Sequence, residues 1–112
     1  MEEGSHHIWV QTSIYKKKVT IDSILLCKVE KRKVDIYFHP DGKLEGTYHS
    51  LTDMETMLPE RKFCRCNRQC IINIDHVDKY SEKIPEIVMT NGMCIHVGKD
   101  YKENLSKLLM CN

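Results

Sequence analysis

The sequence predicts a mainly β fold, made of small stacked antiparallel sheets of short strands with one short internal helix and a C-terminal helix. Short runs rich in β-branched and aromatic side chains recur along most of the chain. Turn-forming pairs such as Asp41-Gly42 and Asn91-Gly92 separate these runs. Apolar residues at helical spacing occur in only two segments, one after Ser50 and one after Gly98.

The first half of the chain contains five predicted strands. They are residues 8–13, 17–21, 24–29, 34–39 and 44–49. The third is almost continuously apolar, which is typical of a buried strand, whereas Val34, Ile36 and Phe38 alternate with more polar residues in the fourth. The charged residues 30–33 predict a hairpin loop, and residues 40–43 (Pro-Asp-Gly-Lys) predict a tight turn.

A helix of about two turns is predicted between Ser50 and Pro59, because the apolar residues there fall at helical spacing. Ser50 with Asp53, or alternatively Thr52 with Glu55, has the character of an N-terminal capping pair. Proline cannot continue a helix, so the segment is expected to end at Pro59.

The second half of the chain contains four more predicted strands. They are residues 63–66, 70–72, 86–90 and 93–97. The polar run at residues 67–69 separates the first two, and residues 73–75 predict a turn. Asn91-Gly92 predicts a type I′ hairpin between the last two, with positive φ at both residues. A final helix is predicted to run to about Leu109, with Tyr101 and Leu105 on its apolar face.

Charge is unevenly distributed, although the net charge is only +1. Residues 16–33 contain seven basic and two acidic side chains, and residues 61–68 contain four basic and no acidic ones. Residues 75–86 contain four acidic side chains and two lysines. Such a distribution is compatible with scattered surface charge or with basic patches that bind an anionic partner.

Several functional classes are not supported by the sequence. With 112 residues the chain fits one domain, it contains no apolar run long enough to span a bilayer, and its first residues do not have the pattern expected of a secretory signal. We therefore expect a cytoplasmic protein with reduced thiols. The sequence contains no nucleophile motif, phosphate-binding loop or HExxH motif, so we do not expect an enzyme.

The six cysteines raise the question of a metal or redox site. Cys64 and Cys66, with other cysteines and histidines, lack the paired ligand spacing of zinc sites, so neither a metal nor another cofactor is expected. A regulatory disulfide between Cys66 and Cys94 is one alternative. The other is that the thiols pack as small apolar side chains.

Four segments, taken in order, resemble a LytTR-type DNA-binding domain. They are residues 22–43, 50–59, 63–77 and 90–109. The third begins Phe-Cys-Arg-Cys-Asn-Arg-Gln at Phe63 and resembles the family segment Phe-x-Arg-x-His-Arg-Ser. The chain departs from the family pattern near the expected DNA face. Asn67 replaces the usual His, Gln69 replaces the usual Ser, and Gly98-Lys99 replaces the usual Ser-Arg.

The resemblance implies one domain at residues 8–109. Residues 1–7 would be an N-terminal tail, native or partly left by cloning, and residues 110–112 a C-terminal tail. The family resemblance implies a transcriptional regulator whose strand-connecting loops read successive major grooves of a repeat-containing promoter site. Expected partners are double-stranded DNA, a second copy on the repeat, and a receiver or sensor domain outside this sequence. The alternative is a degenerate domain that acts through protein–protein contacts without specific DNA readout.

The family resemblance and side-chain chemistry together assign the expected roles. Arginine binds guanine bidentately and side-chain amides pair with adenine, so base readout is expected from Arg68, Asn67, Gln69, Arg32 and Lys31. Phosphate contacts are expected from Lys33, Lys62, Lys99 and Tyr101.

Two neighbouring residues have more than one interpretation. Arg65 either pairs with an acid such as Asp53 or Glu55, or contacts DNA. Asn73 is expected to satisfy backbone groups in a turn rather than to contact DNA.

Overall fold

The computed structural model describes residues 6–111, which form ten strands and two helices. The strands are β1 (His7–Gln11), β2 (Lys16–Thr20), β3 (Ile24–Glu30), β4 (Lys33–Phe38), β5 (Lys43–Thr47), β6 (Phe63–Asn67), β7 (Cys70–Asn73), β8 (Val77–Ser81), β9 (Glu86–Met89) and β10 (Cys94–His96). The helices are α1 (Leu51–Met57) and α2 (Lys102–Cys111). Short 3-10 turns lie at Ile21–Ser23, Ile74–His76 and Lys99–Tyr101.

The predicted fold class is confirmed, and all nine predicted strands and both helices are present. Ser50 begins α1 with a capping box, because its hydroxyl accepts from the Asp53 amide and the Asp53 carboxylate accepts from the Ser50 amide. Strand β8 was not predicted. A register shift between Val77 and Lys79 interrupts its alternation, so the sequence shows no period of two there. Helix α2 closes the domain as expected and extends to Cys111, into the residues that were expected to form a C-terminal tail.

The predicted type I′ turn at Asn91-Gly92 is wrong. Gly92 has a positive φ of 91°, but Asn91 does not. The Gly92 amide donates to the Met89 carbonyl, and the Asn91 side chain accepts from the Met93 amide. The connection is therefore a longer turn that needs only one left-handed residue, which is a common alternative for hairpins containing Gly.

The strands form three antiparallel sheets. The central sheet has the order β5-β4-β3-β7-β6, β1 and β2 form a ribbon, and β8 to β10 form a third sheet. Neighbouring strands of the central sheet are antiparallel, so its turns gather at two ends. We call the end that contains the β3–β4 and β6–β7 turns the loop end. The other, opposite end contains the β4–β5 turn and the start of β3.

The central sheet is buried on both faces. On one face, Cys27, Ile36 and Ile71 pack with the β1–β2 ribbon and α1. On the other face, Leu26 and Ile72 pack with the third sheet and α2. A strand that contributes to two cores is apolar at almost every position, which explains the continuous apolar run that predicted β3.

Most of the described cysteines are packed in these cores. Cys27, Cys64, Cys66 and Cys70 are buried free thiols, whereas Cys94 is an exposed free thiol. Burial raises the pKa of Cys27 to about 12 and that of Cys64 to about 11. A hydrogen bond with Cys70 and burial also raise the pKa of Cys66. Such thiols are protonated at neutral pH and react slowly. In the disulfide considered between Cys66 and Cys94, the Cys66 thiol is buried and the Cys94 thiol is exposed to solvent.

No helix in residues 6–111 is long and apolar enough to cross a lipid bilayer. Nor do three or more His, Cys, Asp or Glu side chains converge as metal ligands within the described part of the chain.

Asn73 has the structural role expected from the sequence. Its side chain is fully buried, donates to the Ile24 carbonyl over 2.9 Å, and accepts from the Asp75 amide over 2.9 Å. It therefore joins the start of β3 to the end of β7 and begins the turn at Ile74–His76.

We predict that Asn73→Ala lowers the free energy of unfolding by about 1–3 kcal/mol, because a buried carbonyl loses its partner. Urea denaturation measures this change. Asn104→Ala is the matched control, since Asn104 is exposed on α2 and its side-chain amide donates, among the described residues, to the Cys64 thiol alone. Equal stability of the two variants would show that the Asn73 contacts contribute little.

Candidate nucleic-acid interface

The β3–β4 connection presents two basic side chains on a tight turn. Glu30 and Lys33 are paired across the hairpin, so Lys31 and Arg32 alone form the loop. Both have left-handed backbone conformations, with φ of 50° and 70°. Type I′ turns require this geometry and usually use Asn or Gly, so two long basic side chains are an uncommon choice. Both are exposed, which makes their charges available to a partner.

The β6–β7 turn presents Arg68 at its tip. The Asn67 side chain accepts from the Gln69 amide and donates to the His96 carbonyl over 2.7 Å. Both polar atoms of the Asn67 side chain are therefore used within the protein, where they fix the conformation of the turn that carries Arg68 and Gln69. Arg68 and Gln69 are exposed, and no carboxylate in residues 6–111 pairs with the Arg68 guanidinium.

Arg65 forms the structural ion pair that was one of its two expected roles. Its guanidinium lies 2.9 Å from the Glu55 carboxylate on α1 and donates to the Arg68 carbonyl over 3.1 Å. The Nε atom is buried and has no hydrogen-bond partner among the described residues. Arg65 therefore links α1 to the backbone of the turn that carries Arg68. The ion pair was among the expected roles, with Asp53 or Glu55 as the acid, whereas the hydrogen bond to the Arg68 carbonyl was not predicted.

A third loop lies beside this turn, at the corner between β10 and α2. The Gly98 amide donates to the Cys66 carbonyl over 2.8 Å, which joins the corner to the end of β6. Lys99 is exposed and Tyr101 is half-buried. A Cβ atom on Gly98 would lie 3.0 Å from the Tyr101 ring, so the glycine allows that ring to pack closely.

The three loops form one continuous row. The Val29 amide donates to the Gln69 carbonyl over 2.9 Å, which places the β3–β4 hairpin next to the β6–β7 turn. A shallow cleft of about 500 Å³ runs from that turn to the third loop. Its lining residues are Asn67, Arg68, Gln69, His96, Gly98, Lys99, Asp100 and Tyr101.

The row continues past Lys33 on its other side. The Lys33 ammonium lies 4.1 Å from the centre of the Tyr48 ring, a cation–π contact with a side chain that follows β5. Tyr48 was not predicted to belong to the site, because the sequence predicted a strand over residues 44–49 that includes it, whereas β5 ends at Thr47 and leaves Tyr48 in the following loop. A groove of about 370 Å³ lies here, lined by Arg32, Lys33, Thr47, Tyr48, His49 and Ser50.

Lys62 does not lie with the other predicted phosphate-binding residues. It precedes β6, whereas Asn67 ends that strand, so the length of the strand, roughly 16 Å, separates Lys62 from the loop end. Its ammonium lies 2.8 Å from the Asp22 carboxylate and 3.5 Å from that of Asp75. The hydrogen bond to Lys62 lowers the pKa of Asp22. Lys62 is therefore part of an ion cluster at the opposite end.

Comparison with known proteins decides the family. The family model described as the LytTr DNA-binding domain matches residues 16–110. The chain belongs to the LytTr DNA-binding domain family. Its fold is also similar to a solved structure described as the LytTr DNA-binding domain of a methyl-accepting/DNA response regulator from Bacillus cereus. The TM-score is 0.76 at 24% identity, over 95% of this chain and 98% of that one. No curated protein sequence matches the chain.

The charges of this LytTr domain are segregated along its strands. The loop end carries an excess of basic side chains: Lys31, Arg32, Lys33, Arg68 and Lys99, against the acidic Glu30 and Asp100. The opposite end has no such excess, because Asp22, Asp41 and Asp75 lie there with Lys43, Arg61 and Lys62, and Lys62 is ion-paired with two of these aspartates. A near-neutral chain can therefore present a basic surface at one end, which attracts anionic partners to that end.

We predict that replacing Lys31-Arg32 with Asn-Gly raises the free energy of unfolding by on the order of 1 kcal/mol, because a left-handed conformation brings the Cβ atom close to the next carbonyl oxygen, which glycine avoids and asparagine tolerates. Urea denaturation tests this. Arg32→Ala is the control, since it removes a charge but keeps the unfavourable φ, and it should give no gain. A double variant no more stable than the wild type would contradict the turn geometry.

Proposed function

We propose that this LytTr domain binds specific double-stranded DNA sites through its loop end and thereby regulates transcription. The observation that carries the proposal is the continuous row of three loops, each with an exposed basic side chain that no carboxylate of residues 6–111 pairs with: Arg32, Arg68 and Lys99. Guanidinium groups bind guanine bidentately, and ammonium groups bind phosphates as compact charges.

The dimensions of the domain suit one face of a duplex. Its two longest extents are 43 and 39 Å, and successive major grooves on one face are about 34 Å apart. The β3–β4 and β6–β7 turns belong to one sheet and lie only about 10 Å apart, so these two cannot occupy successive grooves. We infer that Lys31, Arg32, Arg68 and Gln69 enter one major groove and that Lys99 contacts phosphates at its edge, so that the successive major groove of a repeated site is read by the second copy.

Phosphate contacts would set the register of the domain on DNA. Lys33 is suited to this role, because the Tyr48 ring holds its ammonium beside the β3–β4 turn. Lys99 and the hydroxyl of Tyr101 would contact the backbone at the other end of the row. Asn67 and Lys62 are better explained as structural residues, because their polar atoms already have protein partners.

The wider setting of the domain is part of the same proposal. Binding in pairs to a repeated site, coupling to a receiver or sensor domain, a cytoplasmic location and the absence of catalysis all suit a transcriptional regulator. The alternative, a protein-binding module without DNA readout, is less favoured, because a protein-binding module would not require the basic loops to be aligned.

Salt dependence separates the two functions. If three or more phosphates are neutralised, the logarithm of the association constant should fall with log salt with a slope steeper than about −2.7. Fluorescence-anisotropy titrations at several salt concentrations, with duplexes selected from a random pool, measure this slope. Binding that is absent at low salt would favour the protein-binding alternative.

We predict that Arg68→Ala reduces affinity for the selected duplex by about 1–3 kcal/mol and relaxes the sequence preference at its contact. Lys62→Ala is the matched control, since it removes an equal charge from the opposite end, and it should bind almost as the wild type does. Equal losses in both variants would mean that net charge, rather than position, controls binding.

A further inference from the structure

The β1–β2 ribbon carries three lysines that lie outside the three loops of the proposed DNA interface. Lys16, Lys17 and Lys18 are consecutive, exposed and unpaired by any carboxylate in residues 6–111. Lys18 pairs across the ribbon with Trp9, and Lys16 with Gln11, so these side chains share the outer face. Lys17 lies on the other face, opposite Val10. The ribbon therefore presents two lysines on its outer face, and Lys17 is exposed although its face also carries the buried Val10.

Large apolar side chains are exposed on the same ribbon. Trp9 is 56% exposed, Tyr15 57% and Ile14 83%. An exposed tyrosine or tryptophan beside lysines is useful at a polar, anionic surface, where the ring has an apolar body and a hydrogen-bonding tip. The ribbon thus has the composition of a contact surface, not of a solvated hairpin alone.

The tip of the ribbon is held in one conformation. The Thr12 side chain is almost fully buried, donates to the Tyr15 carbonyl over 2.8 Å, and accepts from the amides of Ile14 and Tyr15. The Thr12 amide also donates to the Tyr15 carbonyl over 2.9 Å. A tip fixed in this way loses little conformational entropy when it binds a partner.

The ribbon meets the loop end of the central sheet. The Tyr48 amide donates to the Gln11 carbonyl over 2.8 Å, and the Gln11 amide donates to the His49 imidazole over 3.0 Å. Tyr48 in turn contacts Lys33. The turn at residues 12–15 therefore continues the row of loops beyond Lys33, on the side away from Lys99.

We propose that the β1–β2 ribbon is a fourth DNA-contacting element, which binds backbone phosphates flanking the base pairs that the loops read. This inference rests on the proposed function. Phosphates are favoured over bases, because three adjacent ammonium groups supply charge without the planar geometry that distinguishes base pairs. DNA is favoured over an acidic protein, because the ribbon continues the basic row. The family match begins at Lys16 and does not include β1.

The test compares two triple variants with the same loss of charge. Lys16→Gln/Lys17→Gln/Lys18→Gln removes the ribbon charges. Lys79→Gln/Lys83→Gln/Lys107→Gln removes three exposed charges from β8, the β8–β9 turn and α2. All six side chains are exposed, so both variants should fold, and circular dichroism checks this.

Each variant is titrated with two duplexes, one limited to the selected motif and one extended at both ends. On the extended duplex the ribbon variant should bind on the order of tenfold more weakly than the control variant, with a salt slope smaller by about 2–3. On the short duplex the difference should be smaller. Hydroxyl-radical footprinting should show protected backbone beyond the motif in wild type, shortened on one side in the ribbon variant.

The outcomes distinguish the ribbon from the loops. If wild type binds the selected duplex but both triple variants match each other in affinity, slope and footprint, the ribbon does not contact DNA and would serve another partner, while the proposed function stands. If wild type fails to bind DNA at all, the proposed function and this inference both fail.

Discussion

The structure depends on the burial of the central sheet on both faces. The inner strands of this sheet contribute side chains to two cores; in β7, Ile71 lies in one and Ile72 in the other. The buried polar or charged residues of this sheet are Asp35, Thr47 and Asn73, and all three have hydrogen-bond partners. Charged side chains are therefore concentrated at the ends of the strands. Because neighbouring strands are antiparallel, the turns that connect them lie at two ends of the sheet.

This arrangement explains how a chain with a net charge of +1 can have a basic surface. The Lys31-Arg32 turn and Arg68 belong to the loop end, whereas Asp22 and Asp75 belong to the opposite end, where they bind Lys62. The loops also have stiff supports: Asn67 and Arg65 bond to the β6–β7 turn, and the Gly98 amide bonds to β6. A rigid sheet thus presents basic side chains at defined positions without a recognition helix.

The sequence predicts the fold better than it predicts the site. Strong periodicity and the Ser50 cap located nearly every element, but β8 was missed because a register shift removes its alternation. Lys62 was predicted to bind phosphate from its residue type alone. Its ion pair with Asp75 depends on the tertiary structure, because β7 brings Asp75 back to the start of β6. Conversely, the strain at Lys31 and Arg32 has no signature in composition, because the two-residue loop is set by the pairing of Glu30 with Lys33.

The most direct test of the loop-end interface is an amide NMR titration of the ¹⁵N-labelled domain with a selected duplex. We expect the largest shift changes in the β3–β4 turn, the β6–β7 turn and the Gly98 corner. Amides of the opposite end, such as Gly42 and Asp75, should change little. Shift changes concentrated at the opposite end or in the β8–β10 sheet would contradict the account.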